Sequence, residues 1–169
     1  MKTTLQLFTE STPNSIQFEI EMLQDFYESE QPSIEKQKEE IQFLVVDDDY
    51  DLATYIHDCL SSDFINITVI AVGSGEAALK EIEHRVPDVL ITDITMPRMD
   101  GFDLISRLRL IRNTNRVKIL VITGKELSMQ ELNQLEKLNT SGILYKPFDS
   151  ERLIEIVKNT LNNSTEHQK

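Results

Sequence analysis

Short apolar runs and helix-spaced apolar residues alternate along the chain from residue 41 onwards. Runs rich in β-branched residues predict five strands, over residues 41–46, 66–72, 88–92, 117–123 and 142–145. Apolar residues at helical spacing predict helices over residues 51–62, 74–85 and 102–111, then one capped by Ser128 and a last one capped by Asp149. Because the strands are almost continuously apolar, we expect an α/β fold with a parallel sheet covered by helices on both faces.

The first forty residues differ from the rest in charge. Residues 1–40 contain three basic and nine acidic residues, for a net charge of −6, and residues 41–169 carry the same net charge on a much longer segment. Alternating apolar and polar residues favour a hairpin within residues 3–22. Apolar residues at helical spacing from Ser15 onwards fit a helix as well, so both interpretations stay open.

These patterns divide the chain into three parts. Residues 1–40 form an acidic extension whose aromatic residues favour an interaction segment over a tether. Residues 41–161 form the regular domain, and residues 162–169 form a polar tail. Since this tail is short and polar, we expect no output domain after the last helix.

Polar side chains stand where the predicted strands end: Asp47 and Asp48 after the first, Asp93 after the third, Thr123 at the end of the fourth, and Lys146 after the fifth. Ligands of open parallel sheets bind beyond these strand ends, so we expect one shared crevice. Two carboxylates about 5 Å apart repel by roughly 3 kcal/mol at an effective dielectric constant of about 20, and their oxygens suit a hard cation such as Mg²⁺. With an ammonium and a hydroxyl group nearby, the crevice suits a phosphoryl group, and Asp93 could form an acyl phosphate.

Residues 41–161 resemble a response regulator receiver domain of two-component signalling. The matching stretches are Phe-Leu-Val-Val-Asp-Asp at 43–48, Asp-Val-Leu-Ile-Thr-Asp-Ile-Thr-Met-Pro-Arg-Met-Asp-Gly at 88–101, Ile-Leu-Val-Ile-Thr at 119–123 and Tyr-Lys-Pro-Phe at 145–148. The resemblance implies a doubly wound, flavodoxin-like fold with the strand order 2-1-3-4-5.

The resemblance also implies a role for each residue of the crevice. Asp93 matches the phosphoacceptor of the family. Asp47 and Asp48 match the acidic pair that holds Mg²⁺ together with Asp93, and Thr95 would contribute its backbone carbonyl to the same ion.

Two further residues match the family's phosphoryl contacts. Thr123 matches the hydroxyl that hydrogen-bonds the phosphoryl group, and Lys146 matches the ammonium that pairs with it. The peptide bond between Lys146 and Pro147 is expected to be cis. Asp49 is expected to cap the first helix and not to bind metal.

Ile143 departs from the family pattern, and two other positions bear on the lifetime of the acyl phosphate. Where the family usually has an aromatic residue, three positions before the lysine, this chain has Ile143. Either Ile143 or Tyr145 takes part in switching, or both belong to the core, and the sequence leaves this open. Thr95 and Lys125 occupy the positions that tune the lifetime of the acyl phosphate, so we expect an altered lifetime of unknown direction.

The composition limits the cellular location and the binding partners that we expect for the chain. The net charge of −12 opposes binding to nucleic acid or to anionic membranes. The chain has a single cysteine, no long apolar segment and no signal peptide, so we expect a cytoplasmic location and no membrane insertion. A basic run is expected to form a solvated face: Arg107, Arg109, Arg112, Arg116 and Lys118.

The function predicted from these features is a phosphorylation-controlled signalling switch. A histidine kinase or a phosphotransfer protein would phosphorylate Asp93, and the altered surface would act on an unknown downstream protein. Homodimer formation stays open. The alternative is an Mg²⁺-dependent phosphatase of the haloacid-dehalogenase type, which needs an aspartate where this chain has Thr95, so we do not expect an enzyme acting on external substrates.

Overall fold

The computed structural model describes residues 40–162. The interpretations of the acidic extension and of the polar tail fall outside these residues, apart from Glu40 and Asn162, and the division of the chain into three parts stays a prediction. Within residues 40–162, no helix is both long enough and apolar enough to span a membrane.

Residues 40–162 form five strands and five helices that alternate along the chain. The strands are β1 (Ile41–Val46), β2 (Ile67–Val72), β3 (Val89–Asp93), β4 (Lys118–Thr123) and β5 (Gly142–Tyr145). The helices are α1 (Tyr50–Asp63), α2 (Gly75–His84), α3 (Gly101–Leu110), α4 (Met129–Lys137) and α5 (Ser150–Asn162). These bounds lie within two residues of the ranges predicted from the sequence.

The strands form a single parallel sheet in the order β2-β1-β3-β4-β5. Alternate residues of each central strand enter different cores: in β1, Leu44 packs on one side of the sheet, and Phe43 packs on the other. The first core is closed by α2, α3 and α4, and the second by α1 and α5. The predicted doubly wound α/β fold and its strand order are therefore confirmed.

Side-chain caps fix where the helices begin. Asp49 accepts hydrogen bonds from the backbone N–H groups of Asp51 and Leu52, so it caps α1 as expected. Ser74 and Asp100 cap α2 and α3 in the same way. Because α1 follows β1 and α3 follows β3 along the chain, the caps of these two helices end the loops that hold the candidate site.

The basic run predicted to be a solvated face is only partly so. The Arg109 guanidinium donates hydrogen bonds to the backbone carbonyls of Thr114, Val117, Leu138 and Asn139, at 2.8–3.1 Å. The Lys118 ammonium donates to the carbonyl of Thr160 at 2.8 Å, close to the end of α5. These two cations are structural because they hydrogen-bond backbone carbonyls in the loops around α3 and α4 and near the end of α5, whereas the other three arginines are exposed.

Candidate functional site

The carboxyl edge of the sheet brings the predicted crevice together. The β1 and β3 strands are neighbours, so Asp47, which follows β1, lies next to Asp93 at the end of β3. The chain reverses its direction of winding at this pair of strands, which is the usual position of a ligand site in such sheets. Strand β4 lies beside β3, and Lys146 follows β5 beyond it.

Three carboxylates converge at this edge. Asp47, Asp48 and Asp93 each place one carboxylate oxygen within 4.8 Å of the other two, and this group is the possible metal-binding cluster among the described residues. Asp47 is 2% exposed and Asp93 is 6% exposed, whereas Asp48 is exposed. Because all the donors are hard oxygen atoms and one of them faces solvent, the cluster fits Mg²⁺ that keeps part of its water shell.

The Lys146 ammonium joins two of these carboxylates. Its Nζ donates a hydrogen bond to Asp47 Oδ2 at 2.9 Å and another to Asp93 Oδ2 at 2.7 Å. Burial alone would lower the pKa of Lys146, but its bonds to Asp47 and Asp93 outweigh burial and raise the pKa. Lys146 therefore stays charged, and its charge offsets part of the repulsion between the two aspartates.

The ionised form of Asp47 is energetically unfavourable even with Lys146 as its partner. Burial raises the pKa of its carboxyl group, and the hydrogen bonds from Lys146 and from the backbone of Asp49 only partly oppose that rise. A carboxyl group with a raised pKa stabilises the fold when protonated, and this contribution is lost as the pH rises through that pKa. At neutral pH the ionised Asp47 therefore lowers stability, and a bound cation would offset this cost.

Both carboxylate oxygens of Asp93 accept hydrogen bonds. Lys146 donates to Oδ2, and Oδ1 accepts hydrogen bonds from the backbone N–H of Thr95 at 2.9 Å and from its hydroxyl at 3.2 Å. The sequence predicts a metal-binding carbonyl at Thr95 and a position that tunes the acyl phosphate lifetime, but not these two hydrogen bonds to Asp93. Aspartate side chains commonly accept a hydrogen bond from the backbone N–H two residues on, so the sequence carried a signal for the first of these bonds but not for the second. The carbonyl's role stays a prediction.

Thr123 ends β4 and is fully buried. Its Oγ1 accepts a hydrogen bond from the backbone N–H of Lys125 at 3.1 Å. A hydroxyl that accepts in this way still has its own hydrogen to donate. The peptide bond between Lys146 and Pro147 is cis, as expected.

The two residues considered for switching differ in burial. Ile143 is half-buried and packs against the first core, whereas Tyr145 is 46% exposed. The interpretation that both belong to the core is therefore wrong for Tyr145. Strand β5 is the last strand in the sheet order, so its side chains have a neighbouring strand, β4, on one side only.

The loop between β3 and α3 packs tightly against Asp93. Met96 and Met99 are buried in the first core, and the backbone N–H of Gly101 donates to the carbonyl of Ile94 at 3.0 Å. A Cβ atom at Gly101 would lie 2.3 Å from the backbone oxygen of Asp93, far inside van der Waals contact. Gly101 is therefore required where α3 begins, and it fixes the backbone that presents the Asp93 side chain.

Comparisons with known proteins agree with this geometry. The family model described as the response regulator receiver domain matches residues 43–158. Among solved structures, the chain is similar to the chemotaxis response regulator CheY4 of Vibrio cholerae, with 26% identity and a TM-score of 0.65 over 71% of this chain and 98% of that one. A response regulator structure from Chloroflexus aurantiacus is 31% identical, with a TM-score of 0.64 over 72% of this chain and 97% of that one.

Similar segments also occur inside longer proteins. The heme response regulator HssR of Staphylococcus aureus is 32% identical over 68% of this chain, which spans 48% of HssR. The sensor histidine kinase TmoS of Ectopseudomonas mendocina is 30% identical over 80% of this chain, which spans 13% of TmoS. The chain thus spans half or less of the length of these two relatives.

We predict that Gly101→Ala destabilises the fold, because the added methyl group collides with backbone atoms that cannot move aside. The free energy of unfolding, measured with urea, should fall by about 3 kcal/mol, the upper end for overpacking. Gly73→Ala is the matched control, since its Cβ would lie 3.9 Å from the nearest atom, in ordinary contact. Equal stabilities of the two variants would contradict the close packing at Gly101.

Proposed function

Because the chain belongs to the response regulator receiver domain family, which signals by phosphorylation, we propose that Asp93 is its phosphoacceptor. The observation that carries this proposal is the Lys146 ammonium, held 2.7 Å from an Asp93 oxygen inside a cluster of carboxylates. A cation fixed beside a nucleophilic carboxylate is placed to neutralise the oxygens of an incoming phosphoryl group.

The donor would be the phosphohistidine of a histidine kinase or of a phosphotransfer protein. One carboxylate oxygen of Asp93 attacks phosphorus, the bond between phosphorus and the imidazole nitrogen breaks, and the imidazole keeps the electron pair and takes up a proton. The product is an acyl phosphate on Asp93. Lys146 then pairs with the phosphoryl oxygens, and the hydroxyl of Thr123 donates a hydrogen bond to one of them.

We assign the Mg²⁺ site to Asp47, Asp48 and Asp93, with the backbone carbonyl of Thr95 as a further ligand. When bound, the ion would supply positive charge to the phosphoryl oxygens. The raised pKa of Asp47 supports this assignment, because a buried carboxyl group that is costly to ionise gains most from a neighbouring cation.

Phosphorylation would be read out by contact with another protein. Exposed apolar side chains on α4 and β5 offer a surface for such contact: Met129 is 72% exposed and Tyr145 is 46% exposed. The protein that would bind this surface is an unknown downstream protein or a second copy of the chain. Direct binding to nucleic acid is not proposed, because the net charge is −12.

Chemistry on external phosphate esters is not proposed either. An aspartate-nucleophile phosphatase needs a second carboxyl group as acid and base two residues after the nucleophile, and this position is Thr95. The Thr95 hydroxyl instead donates its hydrogen bond to Asp93. A threonine hydroxyl does not titrate near neutral pH, so it does not replace that carboxyl group.

Acetyl phosphate, a small phosphodonor, tests the phosphoacceptor directly. With Mg²⁺ present, the wild-type chain should gain the mass of one phosphoryl group, and Asp93→Asn should gain none. Asp51→Asn, which changes an exposed aspartate in the first turn of α1, is the control and should be labelled like the wild type. Equal labelling of Asp93→Asn and the wild type would refute the assignment, and turnover of p-nitrophenyl phosphate would favour the phosphatase.

Thermal unfolding with and without Mg²⁺ tests the metal site. Because a ligand that binds the native state stabilises it, Mg²⁺ at about 100 times its dissociation constant should add roughly 2.7 kcal/mol to the free energy of unfolding. Asp48→Asn should lose most of this gain, since it removes a metal ligand without disturbing the buried bonds of Lys146. If Asp48→Asn gained as much as the wild type, Asp48 would not be a ligand.

A further inference from the structure

We propose that Glu131 is a positioning residue for the phosphoacceptor site, because it holds Lys125 and, through the backbone of Lys125, the hydroxyl of Thr123. This inference rests on the proposed function. It concerns a residue on α4 that the sequence analysis did not connect with the site.

The connection begins at Thr123. Its oxygen accepts a hydrogen bond from the N–H of Lys125 at 3.1 Å, which directs the hydroxyl hydrogen elsewhere and leaves it available to a phosphoryl oxygen. The direction of that hydrogen therefore depends on where the backbone of Lys125 lies. Gly124 separates the two residues, and glycine restrains the backbone least of all residues.

The side chain of Lys125 restrains the position of its backbone through an ion pair with Glu131. Its ammonium lies 2.5 Å from Glu131 Oε1, with the lysine side chain 47% exposed and the glutamate side chain 23% exposed. Lys125 is thus fixed at both ends, by its own N–H on Thr123 and by its ammonium on Glu131. Two residues after Lys125, Leu127 packs into the first core and holds the same loop there.

Glu131 is itself held rigidly. Its second oxygen, Oε2, accepts hydrogen bonds from the backbone N–H of Ser128 at 2.9 Å and from the Ser128 hydroxyl at 2.8 Å. This pair forms a capping box at the start of α4. The bonds to Lys125 and Ser128 lower the pKa of Glu131 to about 2, so its carboxylate stays charged at neutral pH.

The arrangement links the first turn of α4 to Thr123 through successive polar contacts. Breaking the ion pair frees Lys125 and loosens the direction of the Thr123 hydroxyl, while Asp93, Lys146 and the metal ligands stay in place. The expected consequence is slower phosphorylation of Asp93 without loss of the site itself.

The test uses the full chain, Mg²⁺ and acetyl phosphate, with the rate of phosphoryl gain followed by intact mass. Glu131→Gln keeps an oxygen that can accept from Ser128 but removes the charge, and Lys125→Met removes the ammonium. Each variant should lower the rate about two- to fivefold, the size expected for an exposed ion pair. If Glu131 acts through Lys125, the double variant should be no slower than either single variant.

Two controls separate positioning from a general loss of stability. Arg152→Met and Glu155→Gln break an exposed ion pair on α5, at 2.6 Å, and should leave the rate unchanged. Lys125→Arg keeps a cation opposite Glu131 and should restore most of the rate.

Three outcomes would overturn the inference. Rates equal to the wild type in both single variants, or effects that multiply in the double variant, would remove Glu131 from the site while leaving Asp93 as phosphoacceptor. A wild-type chain that gains no phosphoryl group would overturn the inference together with the proposed function.

Discussion

The contact on which the site depends is the one that the Lys146 ammonium makes with Asp47 and Asp93. Two carboxylates this deeply buried repel each other and lose hydration, and the hydrogen-bonded cation between them offsets part of that cost. The sequence separation is large: Lys146 lies 99 residues from Asp47 and 53 from Asp93. Only a completed sheet brings the three together, so the charge balance of the site is also a constraint on the fold.

The same charges prepare the site for its proposed chemistry. Positive charge beside Asp93 favours the approach of a phosphoryl group, and the unrelieved cost of ionising Asp47 favours a divalent cation. Around this centre, the backbone is fixed by short-range contacts: Gly101 against the carbonyl of Asp93, and Thr95 against its side chain.

The sequence predicts the sheet and the strand-end residues because both follow from local pattern and from the rules of parallel sheets. Contacts that join distant loops carry no such pattern. Arg109 is predicted to lie on a solvated face, but it hydrogen-bonds four backbone carbonyls, two of them about 30 residues away. The pairing of Lys125 with Glu131 is local in sequence but spans a loop and a helix start, so no periodic pattern predicts it. The exposure of Tyr145 was also missed, because two-residue alternation gives the face of a strand and not what covers that face.

The most direct measurement is the NMR titration of the Asp47 carboxyl carbon, without Mg²⁺, in the wild type and in Lys146→Met. We expect a pKa above 3.8 in the wild type and a further rise when the ammonium is removed, because Lys146 opposes the effect of burial. An Asp47 pKa that does not rise in Lys146→Met would contradict the bridging role of Lys146, and a wild-type pKa at or below 3.8 would contradict the dominant effect of burial.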